Sequence, residues 1–270
     1  MCAGPTARER FLRHLAVCSW FCLGFFALPP GLLADTASAR SHDATPAAVR
    51  SPIVFCGASD SPPYEYLDAQ GQPKGFNVEL MRALAKEAGR DVEFRLGPWN
   101  EVLGHLQAGE VDIVAIAYTE ERAQRYDLLA DTWMLQGVAA FLPGRRSYPR
   151  DAFSLGNEVV ATVERSRMHD LLLALPENLR PRIRPVASPT DTVRLLLRGE
   201  VTAAAGNVLH LRRAKVDLAA ADLVEIPITA SPYYLATKKG QGGEFAWIPV
   251  ALAKLKERGE FAGLVERYLA

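Results

Sequence analysis

The sequence predicts an α/β fold in two halves built alike, and three observations carry that prediction. From Ile53 onward, strand-like apolar runs alternate with helical periodicities, the pattern of βαβ units and parallel sheets. Two junctions read the same way, Leu106-Gln107-Ala108-Gly109-Glu110-Val111-Asp112 and Leu196-Leu197-Arg198-Gly199-Glu200-Val201-Thr202, each a helix end, a glycine, a glutamate, a valine and a strand start. Glycine is the usual residue at such a helix end because it accepts the left-handed conformation without cost. No run beyond the first forty residues approaches the ~18 apolar residues of a membrane-spanning helix.

Taken in order, Ile53–Cys56 is a short apolar run that opens a sheet. Tyr64-Glu65-Tyr66-Leu67 leads into Asp68-Ala69-Gln70-Gly71, a turn by composition. Val78, Met81, Leu84, Ala85 and Ala88 recur at helical spacing, with Asn77 as the expected N-cap and Gly89 as the stop. Val92, Phe94 and Leu96 alternate with charged residues as a half-buried strand. Trp99, Val102, Leu103 and Leu106 mark the next helix, and Ile113–Ile116 a fully buried strand. In the second half, Val159–Val163 is strand-like, His169–Leu175 and Thr192–Arg198 are helical, and Ala203–Ala205 is a short strand. Two helices close the chain, one through Trp247, Val250 and Leu255 and one through Phe261, Leu264, Val265 and Tyr268.

The N-terminus reads as a secretory signal. Arg8, Arg10 and Arg13 form a positive start, Leu15–Leu28 runs 14 residues without a charge, and Ala37-Ser38-Ala39 is a small-x-small cleavage site. Residues 1–39 are therefore set apart as a cleaved signal peptide, with an uncleaved anchor as the competing reading, and residues 40–51 as a flexible leader. Three of the four cysteines lie in the signal, so Cys56 alone remains and an internal disulfide is excluded. A small buried hydrophobe is its default role. The formal net charge of the chain is zero, which gives no electrostatic case for nucleic acid or an anionic membrane. His105, His169 and His210 lie far apart, without metal-ligand spacing, and no cofactor motif is present.

Ser61-Pro62-Pro63-Tyr64, then Gly75-Phe76-Asn77, then Ala115-Ile116-Ala117-Tyr118-Thr119-Glu120-Glu121-Arg122 resemble, in order and spacing, lobe 1 of the bacterial extracellular solute-binding proteins of family 3. The resemblance covers about residues 52–270 and leaves no room for an output domain. It implies a two-lobe type II periplasmic-binding-protein clamshell, each lobe a mixed, mainly parallel sheet flanked by helices, hinged on two crossing strands. The crossings are expected near Ala139–Pro143 and Thr229–Leu235, with residues 52–141 and 233–270 in lobe 1 and 142–232 in lobe 2.

The resemblance also implies a ligand site between the lobes, built from Tyr64, Trp99, Arg122, Ser166 and Asn207. In that family an arginine at the position of Arg122 grips the ligand carboxylate, and a guanidinium matches a carboxylate with a rigid fork of donors. Trp99 is equally well explained by packing, and Ser166 by a plain N-cap. Two positions depart from the family. The family's Gly-Ser/Thr step reads Arg165-Ser166 here, and its ammonium-binding aspartate is matched by Asn207. An amide supplies no countercharge, and a buried ammonium without one costs several kcal/mol, so a carboxylate without a free amine is expected, unless Asp191 or Glu164 serves instead.

The implied function is capture of a small carboxylate-bearing ligand in the periplasm for delivery to an ABC permease of the inner membrane, by a monomer. Delivery to a membrane sensor is the alternative, because Arg165-Ser166-Arg167-Met168-His169-Asp170 resembles sensor-type clamshell domains. A cyclohexadienyl-dehydratase-like enzyme is the third reading. Glu79, Asp131 and Glu164 are its candidate carboxylates, and none sits in a motif tied to proton transfer.

Overall fold

The computed structural model describes residues 51–270. The predicted signal segment and all of the leader except Ser51 lie outside the described residues.

In chain order the elements are β1 (Ile53–Ala58), β2 (Asp60–Ser61), β3 (Glu65–Leu67), β4 (Pro73–Lys74), α1 (Phe76–Glu87), β5 (Val92–Gly97), α2 (Trp99–Ala108), β6 (Ile113–Ala117), α3 (Glu120–Arg125) and β7 (Tyr126–Phe141). There follow β8 (Val159–Val163), α4 (Arg167–Leu173), β9 (Arg182–Val186), α5 (Pro189–Leu197), β10 (Ala203–Asn207), α6 (Val208–Asp217), β11 (Val224–Lys238), α7 (Trp247–Glu257) and α8 (Glu260–Leu269). The order β5-β1-β6-β11-β7-β10-β8-β9 makes one 8-stranded sheet, and β2-β3-β4 makes a small antiparallel one.

The large sheet is parallel at its two ends, where β1 joins β5 and β6, and β8 joins β9 and β10. Its middle is the long antiparallel pair β7–β11, registered from Val224 opposite Phe141 to Lys238 opposite Tyr126. These two strands are the crossings, and they are longer than the sequence indicated. Pro227 cannot donate to a ladder, and the register shifts between Pro227 and Thr229.

Burial explains why the parallel strands read as continuous apolar runs. In β6, Ile113, Ala115 and Ala117 enter a core with Phe55, Phe76, Leu80 and Leu84, while Val114 and Ile116 enter a second one with Cys56, Val102 and Leu106. In the other half, Ala203 and Ala205 of β10 pack with Phe141, Val160 and Leu172, and Ala204 with Val138, Val193 and Leu211. Both faces of each half-sheet are covered by helices, so neither face needs polar alternation. The sheet is thus shared, but the apolar cores are separate: two belong to each lobe.

One cap differs from expectation. Asn77 lies inside α1, and Gly75 is the N-cap with φ 113°. A side chain at Gly75 would run into the Tyr64 carbonyl. That close approach lets the first-turn N–H groups of Phe76 and Asn77 donate to the carbonyls of Pro63 (2.9 Å) and Tyr64 (2.8 Å). Asn77 has no side-chain capping bond because its amide is buried and donates to Glu65 Oε2. The start of α1 therefore clamps the Pro-Pro-Tyr-Glu segment at the edge of the cleft.

Candidate functional site

A cavity of about 90 Å³ lies between the strand ends of the two lobes. One water needs on the order of 10–15 Å³, so it has room for a small molecule or several waters. Trp99 and Arg122 line it from lobe 1, and Ser166 and Asn207 from lobe 2. The hinge strands contribute Gly137, Thr229 and Tyr233. A side chain at Gly137 would come within 2.9 Å of Met168 Cε and 2.8 Å of Thr229 Cγ2, so the approach of α4 to β7 requires glycine there.

Arg122 is 5% exposed. It belongs to α3, whose first turn is capped by Thr119 Oγ1, which accepts from the Arg122 N–H at 3.0 Å. Its Nη1 donates to Ala117 O at 3.1 Å within its own lobe. Its Nη2 crosses the cleft, donating to Arg165 O at 3.0 Å and to Asp170 Oδ2 at 3.1 Å. Burial raises the Asp170 carboxyl and Arg122 pulls it back down. The guanidinium carbon stands 6.0 Å from the Trp99 ring centroid, and Trp99 Nε1 is buried without a partner among the described residues. Trp99 both packs on the lobe 1 core and faces the cavity.

Ser166 caps α4, its Oγ accepting from the His169 N–H at 3.2 Å. Arg165 before it has φ 57°, the conformation for which glycine is suited, which explains the glycine that the family places there. The Arg165 side chain turns across the cleft rather than into the cavity, and Nη1 donates to Asn100 O at 3.0 Å. Arg167, next in α4, lines the cavity, and its Nε donates to Ser231 Oγ on β11 at 3.2 Å. Burial and the nearby Arg122 lower the Arg167 pKa.

Tyr64 is not among the lining residues. It is 1% exposed, with its ring stacked on Trp133 at 4.5 Å. Sequence placed it at the ligand, but the aromatic stack holds it one layer back. It reaches the site only through Asn207, whose Nδ2 donates to the Tyr64 hydroxyl at 2.8 Å while Oδ1 lies 3.0 Å from that oxygen. Asn207 Oδ1 also accepts from the Leu209 N–H at 2.9 Å and so caps α6.

Three groups unassigned by sequence lie on the same cavity: Asp60, Glu65 and His210. Glu65 is 2% exposed, and its burial pushes the carboxyl up to about 7, against the hydrogen bond from Asn77. Burial and the neighbouring Asp191 raise Asp60. Burial lowers His210 to about 4, and its Nε2 is sealed off without a partner among the described residues. The cavity is thus polarised, with guanidinium groups at the α3–α4 end and carboxyl groups at the β2–β3 end. Neighbourhood in sequence was the available signal, since Glu65 follows Tyr64, and Arg167 and Asp170 share the first turn after Ser166. The carboxylates Glu79, Asp131 and Glu164 do not line this cavity.

The profile of the bacterial extracellular solute-binding proteins, family 3, matches residues 53–270. The chain belongs to that family. It is 26% identical over 242 residues to a "Probable histidine-binding protein" of Neisseria gonorrhoeae, covering 86% of this chain and 88% of that one. A histidine kinase sensor domain with similarity to periplasmic binding proteins superposes with TM-score 0.74 at 30% identity, over 82% of this chain and 97% of that one. An ancestral arginine-binding protein bound to arginine shares the fold, with TM-score 0.74 at 21% identity, over 82% of this chain and 100% of that one. The periplasmic-binding-protein fold expected from the sequence is therefore the one observed. Among the described residues no helix is long and apolar enough to cross a membrane.

Proposed function

We propose that this protein is a periplasmic solute-binding protein. It captures a small carboxylate-bearing, amino-acid-like ligand between its lobes and delivers it to an ABC importer, without catalysing a reaction. The lobes divide along β7 and β11, near the boundaries read from the sequence. The observation that carries the reading is the polarised cavity, with Arg122 and Arg167 at one end and Asp60 and Glu65 at the other. Such a cavity complements a small molecule bearing a carboxylate at one end and a donor or cation at the other. Asn207 supplies no countercharge, yet the site is not without acids, so both free amino acids and their amine-free analogues belong in the test.

A thermal-shift panel of the standard amino acids and the corresponding deaminated acids tests the proposal. Ligand that binds only the folded state stabilises by about 2.7 kcal/mol at 100 Kd, so a hit is well resolved. Silence across the whole panel overturns the reading. The sensor-domain likeness, at 30% identity over 82% of the chain, supports a second reading in which the loaded protein acts on a membrane sensor. Uptake of labelled ligand lost on gene deletion favours import; intact uptake with a lost transcriptional response favours sensing.

A further inference from the structure

We infer that Arg167 of lobe 2, rather than Arg122 of lobe 1, presents the two-donor fork to the ligand carboxylate, and that Arg122 serves as a tie between the lobes. The inference rests on the functional reading above and concerns which guanidinium does the binding. A guanidinium offers a carboxylate two faces, one made by Nε and Nη2 and one by Nη1 and Nη2. Both faces need a hydrogen on Nη2. In Arg122 both Nη2 hydrogens are occupied, one by the Arg165 carbonyl and one by Asp170 Oδ2. The Ala117 carbonyl holds Nη1 as well. Arg122 therefore has single donors left but no complete fork.

Arg167 is arranged the other way round. Its one side-chain bond is from Nε to Ser231 Oγ, at 3.2 Å. Ser231 is 3% exposed on β11, so the bond fixes the direction of the guanidinium from the hinge side. Among the described residues neither Nη1 nor Nη2 has a hydrogen-bond partner, and no Asp or Glu forms an ion pair with Arg167. The end-on face is thus free, half-buried and on the cavity wall. Burial and Arg122 both disfavour the Arg167 cation, and Asp170, which favours it, is already bonded to Arg122. A ligand carboxylate placed on the Nη1–Nη2 edge would offset both penalties. It would also couple occupancy to the hinge through Ser231. This makes α4 the specificity element, since a carboxamide or ester in place of the carboxylate leaves the fork without its anion.

The test uses calorimetry on the purified protein with the standard amino acids and, for each that binds, its carboxamide. For Arg167→Gln the expected loss of affinity for the amino acid is roughly 10- to 100-fold, the range of a charge-assisted hydrogen-bond pair. The carboxamide should bind the unsubstituted protein as weakly as the acid binds the variant, and Arg167→Gln should not weaken the carboxamide further. Arg167→Lys keeps the charge but not the fork, and an intermediate loss is expected; if Arg167→Gln does not fold, this variant decides. Binding of the amino acid by the folded variants as tightly as by the unsubstituted protein overturns the role of Arg167 and leaves the binding function standing. Failure of every amino acid to bind the unsubstituted protein overturns both.

Discussion

The hydroxyl of Tyr64 and the amide of Asn207 are bonded to each other across the cleft, with Nδ2 to the hydroxyl at 2.8 Å and the hydroxyl to Oδ1 at 3.0 Å. Tyr64 is held in lobe 1 by its stack on Trp133, and Asn207 is held in lobe 2 as the cap of α6. The contact therefore joins two rigid bodies rather than two mobile side chains. Tyr64→Phe should destabilise by about 1–2 kcal/mol because it leaves a buried amide short of a partner. Asn207→Ala should cost more, since it also removes an N-cap worth about 1 kcal/mol. The double variant should show a coupling energy near the first figure in a denaturant cycle. Small-angle scattering should report a larger radius of gyration for either variant; additive losses with unchanged scattering would show that the pair does not hold the lobes together.

Arg122 joins the lobes through a different chemistry. Its side chain is 6% exposed and that of Asp170 is 35% exposed, so the pair is sealed on one side and open to water on the other. Arg122→Ala removes three hydrogen bonds and leaves three acceptors to be resolvated, at a cost of about 2–4 kcal/mol. Asp170→Asn keeps an acceptor for Nη2 and should cost about 1 kcal/mol or less. Urea midpoints distinguish the two. Equal losses in both variants would mean that the ion pair, and not the backbone acceptors, holds Arg122.

Much of this arrangement was readable from the sequence where local geometry dictates it. The repeated helix–Gly–Glu–Val junctions prove structurally matched. Gly109 and Gly199 have φ of 76° and 70°, and Glu110 and Glu200 each donate to the carbonyl five residues back at 3.0 Å. Even the strand entries agree, because Val54 N–H donates to Asp112 Oδ2 and Val159 N–H donates to Thr202 Oγ1. β9 was not anticipated, since Arg182-Ile183-Arg184-Pro185-Val186 is an edge strand with little buried surface. α6 was not anticipated either, because only Leu211 and Ala214 are buried along it and its periodicity is weak. The site was harder to read. Arg122 could be singled out, but that its fork is closed by Asp170 and a carbonyl from the other lobe depends on approach between residues 43 and 48 positions apart. Asn77 was misread as a cap because the burial of Glu65 beside it leaves no trace in local sequence.

Arg165 occupies a backbone conformation that costs a non-glycine residue on the order of 1 kcal/mol. Its φ is 57°, and its side chain reaches Asn100 O across the cleft. Arg165→Gly and Arg165→Ala both lose that contact, and only the glycine relieves the strain. The glycine variant should be more stable than the alanine variant by about 1 kcal/mol in a chemical melt. If the two melt together, the positive φ is not a source of strain.

The buried carboxyl of Glu65 sets an unusual pH dependence. Burial raises it from 4.5 to about 7, whereas in the unfolded chain it titrates at its ordinary value. Below the ordinary value both states hold the proton and Glu65 contributes nothing. As pH rises through 4.5 toward 7 the unfolded chain releases its proton and the folded protein keeps it, so stability falls across this window. The full loss, reached above the folded-state value, is on the order of 3 kcal/mol. His210 acts in the opposite sense. Its pKa is lowered from 6.5 to about 4, so the unfolded chain gains a proton first as pH drops and stability falls on acidification. Between these two groups the slopes oppose each other, and the unsubstituted protein should show a shallow optimum near mildly acidic pH. Glu65→Gln imitates the protonated carboxyl, keeps an oxygen for the Asn77 amide, and should abolish the decline toward neutral pH while leaving the acid-side decline in place. Urea midpoints measured from acid to mildly alkaline pH decide the matter, and a Glu65→Gln profile parallel to that of the unsubstituted protein would exclude Glu65 as the titrating group.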